Sequence, residues 1–246
     1  MNLFERLHFL HRAWRYRLRG EKFGVSFLRS RDLKNKTAVD IGANRGIYSY
    51  WMHQQVGPLG HVIAFEPQPE LQSCLKDLRS CFGLKQLEIA ECGLSSKSGE
   101  LTLRRPHGHW GGASFEKFKS GRNDLDLIPV QITTLDHYLA NHAARPISFV
   151  KCDVEGHELE VFRGGREILS QDRPDLLFEC GNASDPECPV FLYLKSLGYE
   201  GFCFAPQGFA PISEFGSLRP KLHKGALRDF VFMPKERAHG LLRRCA

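Results

Sequence analysis

Residues 37–46 read Thr-Ala-Val-Asp-Ile-Gly-Ala-Asn-Arg-Gly, and residues 47–52 continue Ile-Tyr-Ser-Tyr-Trp-Met. The short apolar run Ala38-Val39-Asp40-Ile41 predicts a buried parallel strand that stops at Gly42, and the spacing behind it predicts a helix over 47–55. Strand, glycine-bearing turn and helix together place a ligand over the carboxyl end of an open α/β sheet. The backbone N–H groups at the start of the helix have no partner within it, so they favour an anionic group there.

A dinucleotide turn would read G-x-G-x-x-G, because a pyrophosphate must approach the backbone closely. Here Asn44 stands at the second glycine position, and Asp40 closes the strand. An acid at that point repels a pyrophosphate and suits a ligand that carries an amino group and a sulfonium, as S-adenosylmethionine does. Residues 61–67, His-Val-Ile-Ala-Phe-Glu-Pro, form a second strand that ends in an acid. Glu66 lies 24 positions after Gly42, close to the offset of about 20 at which a strand-end acid meets ribose hydroxyls. One carboxylate accepts from both hydroxyls at once.

Residues 147–158, Ile-Ser-Phe-Val-Lys-Cys-Asp-Val-Glu-Gly-His-Glu, give a third strand, apolar on both faces, with Asp153 and Glu155 at its end. Two positions apart on extended backbone, the two acids point the same way. Five short motifs occur in order: Asp40-Ile41-Gly42-Ala43-Asn44, Phe65-Glu66-Pro67, Thr133-Thr134-Leu135-Asp136, Val150 to Gly156, and Arg228-Asp229-Phe230-Val231-Phe232. In this order and spacing the chain resembles the FkbM-type family of class I, S-adenosylmethionine-dependent methyltransferases. These mostly O-methylate sugars and secondary metabolites.

The resemblance implies a Rossmann-like α/β fold: a mostly parallel seven-stranded sheet, helices on both faces and an antiparallel edge pair. It implies S-adenosylmethionine as cofactor. Asp40, Gly42, Ala43, Asn44 and Gly46 would hold its methionine end. Glu66, with Pro67 beside it, would hold the ribose. Glu91 and Cys92, at the end of a strand over 87–92, would lie near the adenine. Asp153 would lie beside the methyl group, where cofactor and acceptor meet. Glu155 is the first choice for general base or acceptor anchor, followed by His157 and then Glu179. No metal site is expected, because these acids are already needed for cofactor and base.

The chain has 246 residues, enough for one large α/β domain. A methyltransferase domain is expected over 37–234, preceded by a leader over 1–36 and followed by a polar, fraying tail over 235–246. The net charge of +6 belongs to the leader: residues 1–36 carry ten Lys+Arg against three Asp+Glu, and the rest carry 24 against 25. That split argues against a broad nucleic-acid footprint on the catalytic body. Leu3, Leu7, Leu10, Trp14 and Leu18 recur at helical spacing with arginines on the other side. They predict a basic amphipathic helix over 2–19 and a polar connector over 20–36. The stripe either packs on the domain as an extra layer or rests on an anionic membrane or another polyanion. No apolar run approaches the roughly 20 residues of a spanning helix, and no signal core is present. The eight cysteines include no C-x-x-C pair and fit reduced thiols in the cytoplasm, where the leader can also meet the inner membrane surface.

The loop 105–112 and the Pro/Gly-rich stretch 205–225 are the acceptor-facing candidates, and Trp110 is placed to stack on a ring. The acceptor is expected to be a small-molecule or glycan hydroxyl. The alternatives are an RNA 2′-O-methyltransferase, suggested by the basic leader, and a non-catalytic protein that binds the cofactor.

Overall fold

The structure, a computed structural model, describes residues 3–117, 124–140, 142–181, 186–205, 208–222 and 227–242. Asn2 and residues 243–246, parts of the expected leader and tail, lie outside them, as do parts of the acceptor-facing stretch 205–225. An eight-stranded sheet forms the centre. Its strands in spatial order are β10 (Gly208–Pro211), β9 (Tyr199–Ala205), β11 (Asp229–Pro234), β8 (Asp175–Glu179), β7 (Ile147–Cys152), β1 (Thr37–Ile41), β2 (His61–Phe65) and β3 (Leu87–Ala90). The block β8-β7-β1-β2-β3 is parallel, and β11 runs antiparallel to both β8 and β9. The order reverses between β1 and β7, so the ends of these two strands border the crevice that open α/β sheets use for ligands.

Each face of the sheet is covered. On one side α5 (Leu135–Leu139), α6 (Glu158–Arg163), α7 (Arg166–Gln171), α8 (Pro189–Ser196) and α9 (Phe215–Leu218) bury a core around Val150, Phe178, Phe191 and Phe230. On the other, α3 (Ile47–Val56), α4 (Pro69–Phe82), α1 (Leu3–Arg15) and α2 (Lys22–Ser30) bury Met52, Val62, Phe149 and Val231. A second, three-stranded sheet of β4 (Gly93–Leu94), β6 (Leu125–Thr133) and β5 (Gly99–Pro106) flanks the crevice.

The class I fold stands, with three differences of detail. The main sheet has eight strands rather than seven, because β10 folds back on β9 from within the stretch expected to be loop. The expected connector 20–36 is the helix α2, reached through a π-helical turn, Tyr16–Gly20. Val25, Phe27 and Leu28 of α2 are buried against the sheet, and full burial of each such side chain contributes about 2 kcal/mol. Counting charges hid that stripe. The tail does not fray at once: Lys235–Leu242 is a helix, α10. Its first turn is anchored by Glu236 on Arg173 (3.0 Å) and Arg237 on Asp175 (2.8 Å).

Candidate active site

The turn after β1 is built for close approach. The N–H groups of Gly42 and Ala43 both donate to Phe65 O at 3.0 Å, which ties the ends of β1 and β2 together. Gly42 has φ +74°, and a Cβ there would lie 2.0 Å from the carbonyl oxygen of Asp153. Only glycine lets the turn press flat on the end of β7. Asn44 also takes positive φ, at 52°, a region its short polar side chain tolerates.

Glu66 sits behind this turn and is almost wholly buried. One of its oxygens accepts from the N–H of Asn44 at 2.8 Å and the other from the N–H of Gln68 at 3.0 Å. Burial outweighs these bonds and pushes its carboxyl up to about 7. Each oxygen keeps a further lone pair for another donor.

Two adjoining hollows open at this end of the sheet. The larger, about 890 Å³, is walled by Ala43, Glu21, Tyr48, Lys151 and Glu179, and by Arg12 and Tyr16 from the N-terminal segment. The smaller, about 70 Å³, is walled by Glu66, Pro67, Gln68, Phe115 and Val154. Gly42, Asn44, Trp110, Gly112, Asp153 and Glu155 border both. Trp110 is held over the site at two points: its carbonyl accepts from Gln68 Nε2 at 3.2 Å, and its ring lies 4.8 Å from the Arg45 guanidinium.

The large hollow has an acidic floor threaded by two cations. Lys151 is buried, donates to Asp153 Oδ2 at 3.1 Å and lies 5.0 Å from the Tyr48 ring centre. Burial opposes its charge, but Asp153, Asp40 and Glu21 outweigh that and hold it protonated well above the usual lysine range. Arg228 spans Glu179 (2.6 Å) and Glu155 (3.3 Å). Burial, reinforced by Asp153, pushes Glu179 up to about 7 even so, and the same two causes raise Glu155. Glu21 reaches in from the turn between the N-terminal helices and accepts from Tyr48 Oη at 3.3 Å. Burial raises its carboxyl as well.

The structure therefore gathers Gly42, Ala43, Asn44, Glu66, Pro67, Asp153 and Glu155 around the hollows, with Glu179 beside them. Five expected residues do not reach them. Asp40 is wholly buried, because it shares with Ala38 the sheet face that α3 covers, and it accepts from Ser49 Oγ at 2.6 Å. Its role is to fasten α3 to β1 beside Lys151. His157 turns away into α6: its ring bonds Ser95 Oγ at 2.9 Å and Glu116 Oε1 at 2.8 Å. Glu91 pairs with Lys76 at 2.5 Å, and Cys92 packs beside the core with its thiol pushed up to about 11 by burial. Gly46, with φ +76°, opens α3 against Leu75 and Leu78 rather than lining the cleft.

Sequence reasoning missed Glu21, Tyr48, Lys151, Arg12 and Tyr16. Lys151 had a readable signal, a lone cation inside an otherwise apolar, doubly covered strand. Glu21 had none, because nothing local says that the leader folds back over the cleft.

The profile described as the methyltransferase FkbM domain matches residues 40–218. The chain belongs to the FkbM methyltransferase family. Two curated relatives are similar at lower identity. Methyltransferase sdnD of Sordaria araneosa is 29% identical over 157 residues, 53% of this chain and 60% of that protein. The 2-O-methyltransferase NoeI of Sinorhizobium fredii is 23% identical over 148 residues, 55% of this chain and 59% of that protein. The match thus spans about three-fifths of each relative. Among solved structures, the methyltransferase FkbM from Methylobacillus flagellatus superposes with a TM-score of 0.51 at 17% identity, covering 81% of this chain and 44% of that one. That level of likeness carries the fold.

The cofactor of this FkbM-family chain is S-adenosylmethionine. The site fits it: a buried carboxylate with spare acceptor capacity at Glu66, a glycine turn pressed on Asp153, and a helix N-terminus at Ile47.

Proposed function

We propose that this FkbM-family methyltransferase transfers a methyl group to a hydroxyl of a sugar, glycan or secondary metabolite, using Glu155 and Glu179 as the acid pair that handles the acceptor proton. The observation that carries the reading is the wall shared by the two hollows. Asp153 and Glu155 stand on it, Glu179 borders the larger hollow, and Arg228 pairs with both Glu155 and Glu179.

S-adenosylmethionine, when bound, supplies an activated methyl group on an excellent leaving group, so no general acid is required. In this reading Gly42, Ala43 and Asn44 hold its methionine end and Glu66 accepts from its ribose. The chain must then hold the acceptor oxygen in line, which supplies several kcal/mol by orientation, and receive one proton. A carboxylate poised near neutrality suits that task, and Glu179 is held at about 7. Arg228 keeps enough of both carboxylates ionised to act. Trp110 offers a ring face for a sugar to stack on.

One relative, the 2-O-methyltransferase NoeI of Sinorhizobium fredii, agrees with an oxygen acceptor. The end of β8 carries Glu179 rather than a lysine, which favours this reading over RNA 2′-O-methylation. Cys152 and Cys203 are buried free thiols, which supports a reducing, cytoplasmic site of action. Among the described residues no helix is long and apolar enough to cross a membrane.

The test is a labelled-methyl screen of sugars, glycolipids and phenolic metabolites with wild type, Glu155→Gln and Glu179→Gln. At least one variant should lose roughly 10²–10⁴ in kcat while binding S-adenosylhomocysteine within a few-fold of wild type. Full turnover in both variants would remove these acids from the mechanism.

A further inference from the structure

Five of the nine large apolar side chains exposed among the described residues fall within residues 3–18. Leu3, Phe4, Leu7 and Leu18 keep between 59% and 76% of their surface, and Trp14 keeps 46%. The first helix does pack on the domain, but through a different stripe. Phe9 and Ala13 are its buried residues, and Phe9 lies against Tyr50 and Phe82. The stripe that the sequence presents at helical spacing is left outward as a crest.

Arginines line both sides of that crest. At about 100° per residue, Arg15 falls beside Phe4 on one flank of Leu3, Leu7 and Trp14 and Arg6 falls on the other, while Arg12 lies on the side away from them, toward the cleft. Arg6, Arg12 and Arg17 lie over Phe82, Tyr16 and Trp14 respectively. Among the described residues, no ion pair joins Arg6, Arg12, Arg15, Arg17 or Arg19 to a carboxylate, although Glu5, Glu21 and Asp77 line the hollows beside Arg12. An apolar crest with arginines beside it, one of them stacked on Trp14, is arranged to face an apolar layer edged with anions. Nucleic acid would account for the arginines but not for four exposed aliphatic and phenyl side chains between them.

We propose that the outer face of α1 and the following π-helical turn seats this enzyme on an anionic lipid surface, with Leu3, Phe4, Leu7, Trp14 and Leu18 dipping into the interface and the arginines meeting the headgroups. The same segment walls the cleft: Arg12 and Tyr16 face it from the side away from Leu7 and Trp14. A narrower groove of about 270 Å³, lined by Phe4, Phe9, Ile47 and Leu78, runs beside α1 and shares Arg12, Arg45 and Ile47 with the cleft. Seating α1 therefore brings the cleft to the surface and points to a hydroxyl borne on a lipid headgroup as its acceptor. This last step rests on the reading of the cleft as the acceptor site; the docking itself does not.

The experiment is co-sedimentation of the full chain with phosphatidylglycerol vesicles and, separately, phosphatidylcholine vesicles, alongside calorimetric titration with S-adenosylhomocysteine. The variant is Leu3→Glu with Leu7→Glu; both positions are exposed and away from the cleft wall. Wild type should bind the anionic vesicles at least about tenfold better than the neutral ones. It should release at about 0.5 M salt, where the Debye length falls to a few ångströms, and its tryptophan emission should shift to the blue. The double variant should lose at least about tenfold in vesicle binding with unchanged homocysteine-ligand affinity. The proposal is overturned if wild type ignores anionic vesicles or if the double variant binds them as well as wild type. It is also overturned if the crest mediates self-association instead, seen as a dimer in sedimentation that the double variant abolishes. Vesicle binding without ligand binding would sink the methyltransferase reading alone, and the reverse would sink the docking alone.

Discussion

Glu66 should make cofactor affinity depend on pH. Its carboxyl is nearly sealed from solvent and pushed up to about 7 by burial, although it accepts two backbone N–H bonds. Accepting from two ribose hydroxyls as well requires the ionised form, because a protonated carboxyl spends one oxygen as a donor. Binding should therefore favour the carboxylate. With a free-protein pKa of about 7, the ionised fraction rises about tenfold between pH 6 and pH 8, and the affinity for S-adenosylhomocysteine should rise by about the same factor. Glu66→Gln cannot ionise. At pH 8 it should bind roughly 10–100-fold more weakly, the loss expected for a charged hydrogen bond, and at pH 6 the gap should shrink by about tenfold. Taking the ratio of wild-type to variant affinity cancels titration of the ligand's own α-amino group.

The same shift has a consequence for stability. A carboxyl raised from 4.5 to about 7 on folding is protonated in the folded chain over a range where the unfolded chain has already released its proton. Stability of the ligand-free protein should thus fall as pH rises from about 4.5 to 7 and then level off, with Glu66 contributing at most about 3 kcal/mol. Denaturant melts across that range, compared between wild type and Glu66→Gln, isolate this share. An affinity ratio that stays constant from pH 6 to 8 would refute the reasoning.

Gly24→Ala should loosen the N-terminal layer, because the new Cβ would lie 2.3 Å from Tyr48 Oη. The expected cost is about 1–3 kcal/mol of overpacking, and Tyr48→Phe in the same chain should restore part of it; thermal melts of the single and double variants decide. His157→Ala should cost about 1–3 kcal/mol, through the two bonds lost at Ser95 and Glu116, yet leave kcat within a few-fold; a drop of a hundredfold in well-folded protein would return the ring to the chemistry. Arg228→Met removes the charge that pulls Glu155 and Glu179 down. The acid limb of the kcat profile should then move to higher pH, and an unmoved limb would show that neither carboxyl governs turnover.

The parts of this fold that were legible in the sequence are those where one local rule suffices. A glycine after an apolar strand, an acid at the next strand's end and two acids around Cys152 placed most of the crevice, because strand ends in parallel sheets converge on one edge. Rules of that kind locate a residue along the chain but do not say which way it faces. Asp40 and Asp153 are both strand-end acids, yet Asp40 lies two residues before Gly42, on the face that α3 covers, and is wholly buried, whereas Asp153 lies past the end of β7 and opens on both hollows. His157 failed for a related reason: with the chain already turning into α6, its ring swings behind the wall rather than through it.

The leader was the harder case, because its two stripes compete. Spacing picks out Leu3, Leu7 and Trp14 as one apolar stripe but leaves open whether it packs on the domain or faces another surface. The fold instead buries Phe9 and Ala13. The cause lies downstream, in α2. Gly24 and Val25 press onto the sheet and Glu21 is drawn toward Tyr48 and Lys151, which fixes where the preceding helix can leave the domain. Once α2 is seated, rotating α1 by about a third of a turn to bury Leu3 and Leu7 would withdraw Arg12 and Tyr16 from the cleft wall. The exposed crest thus goes with the use of this segment to wall the cleft, and the energy lost by leaving it uncovered is recovered only if another apolar surface meets it.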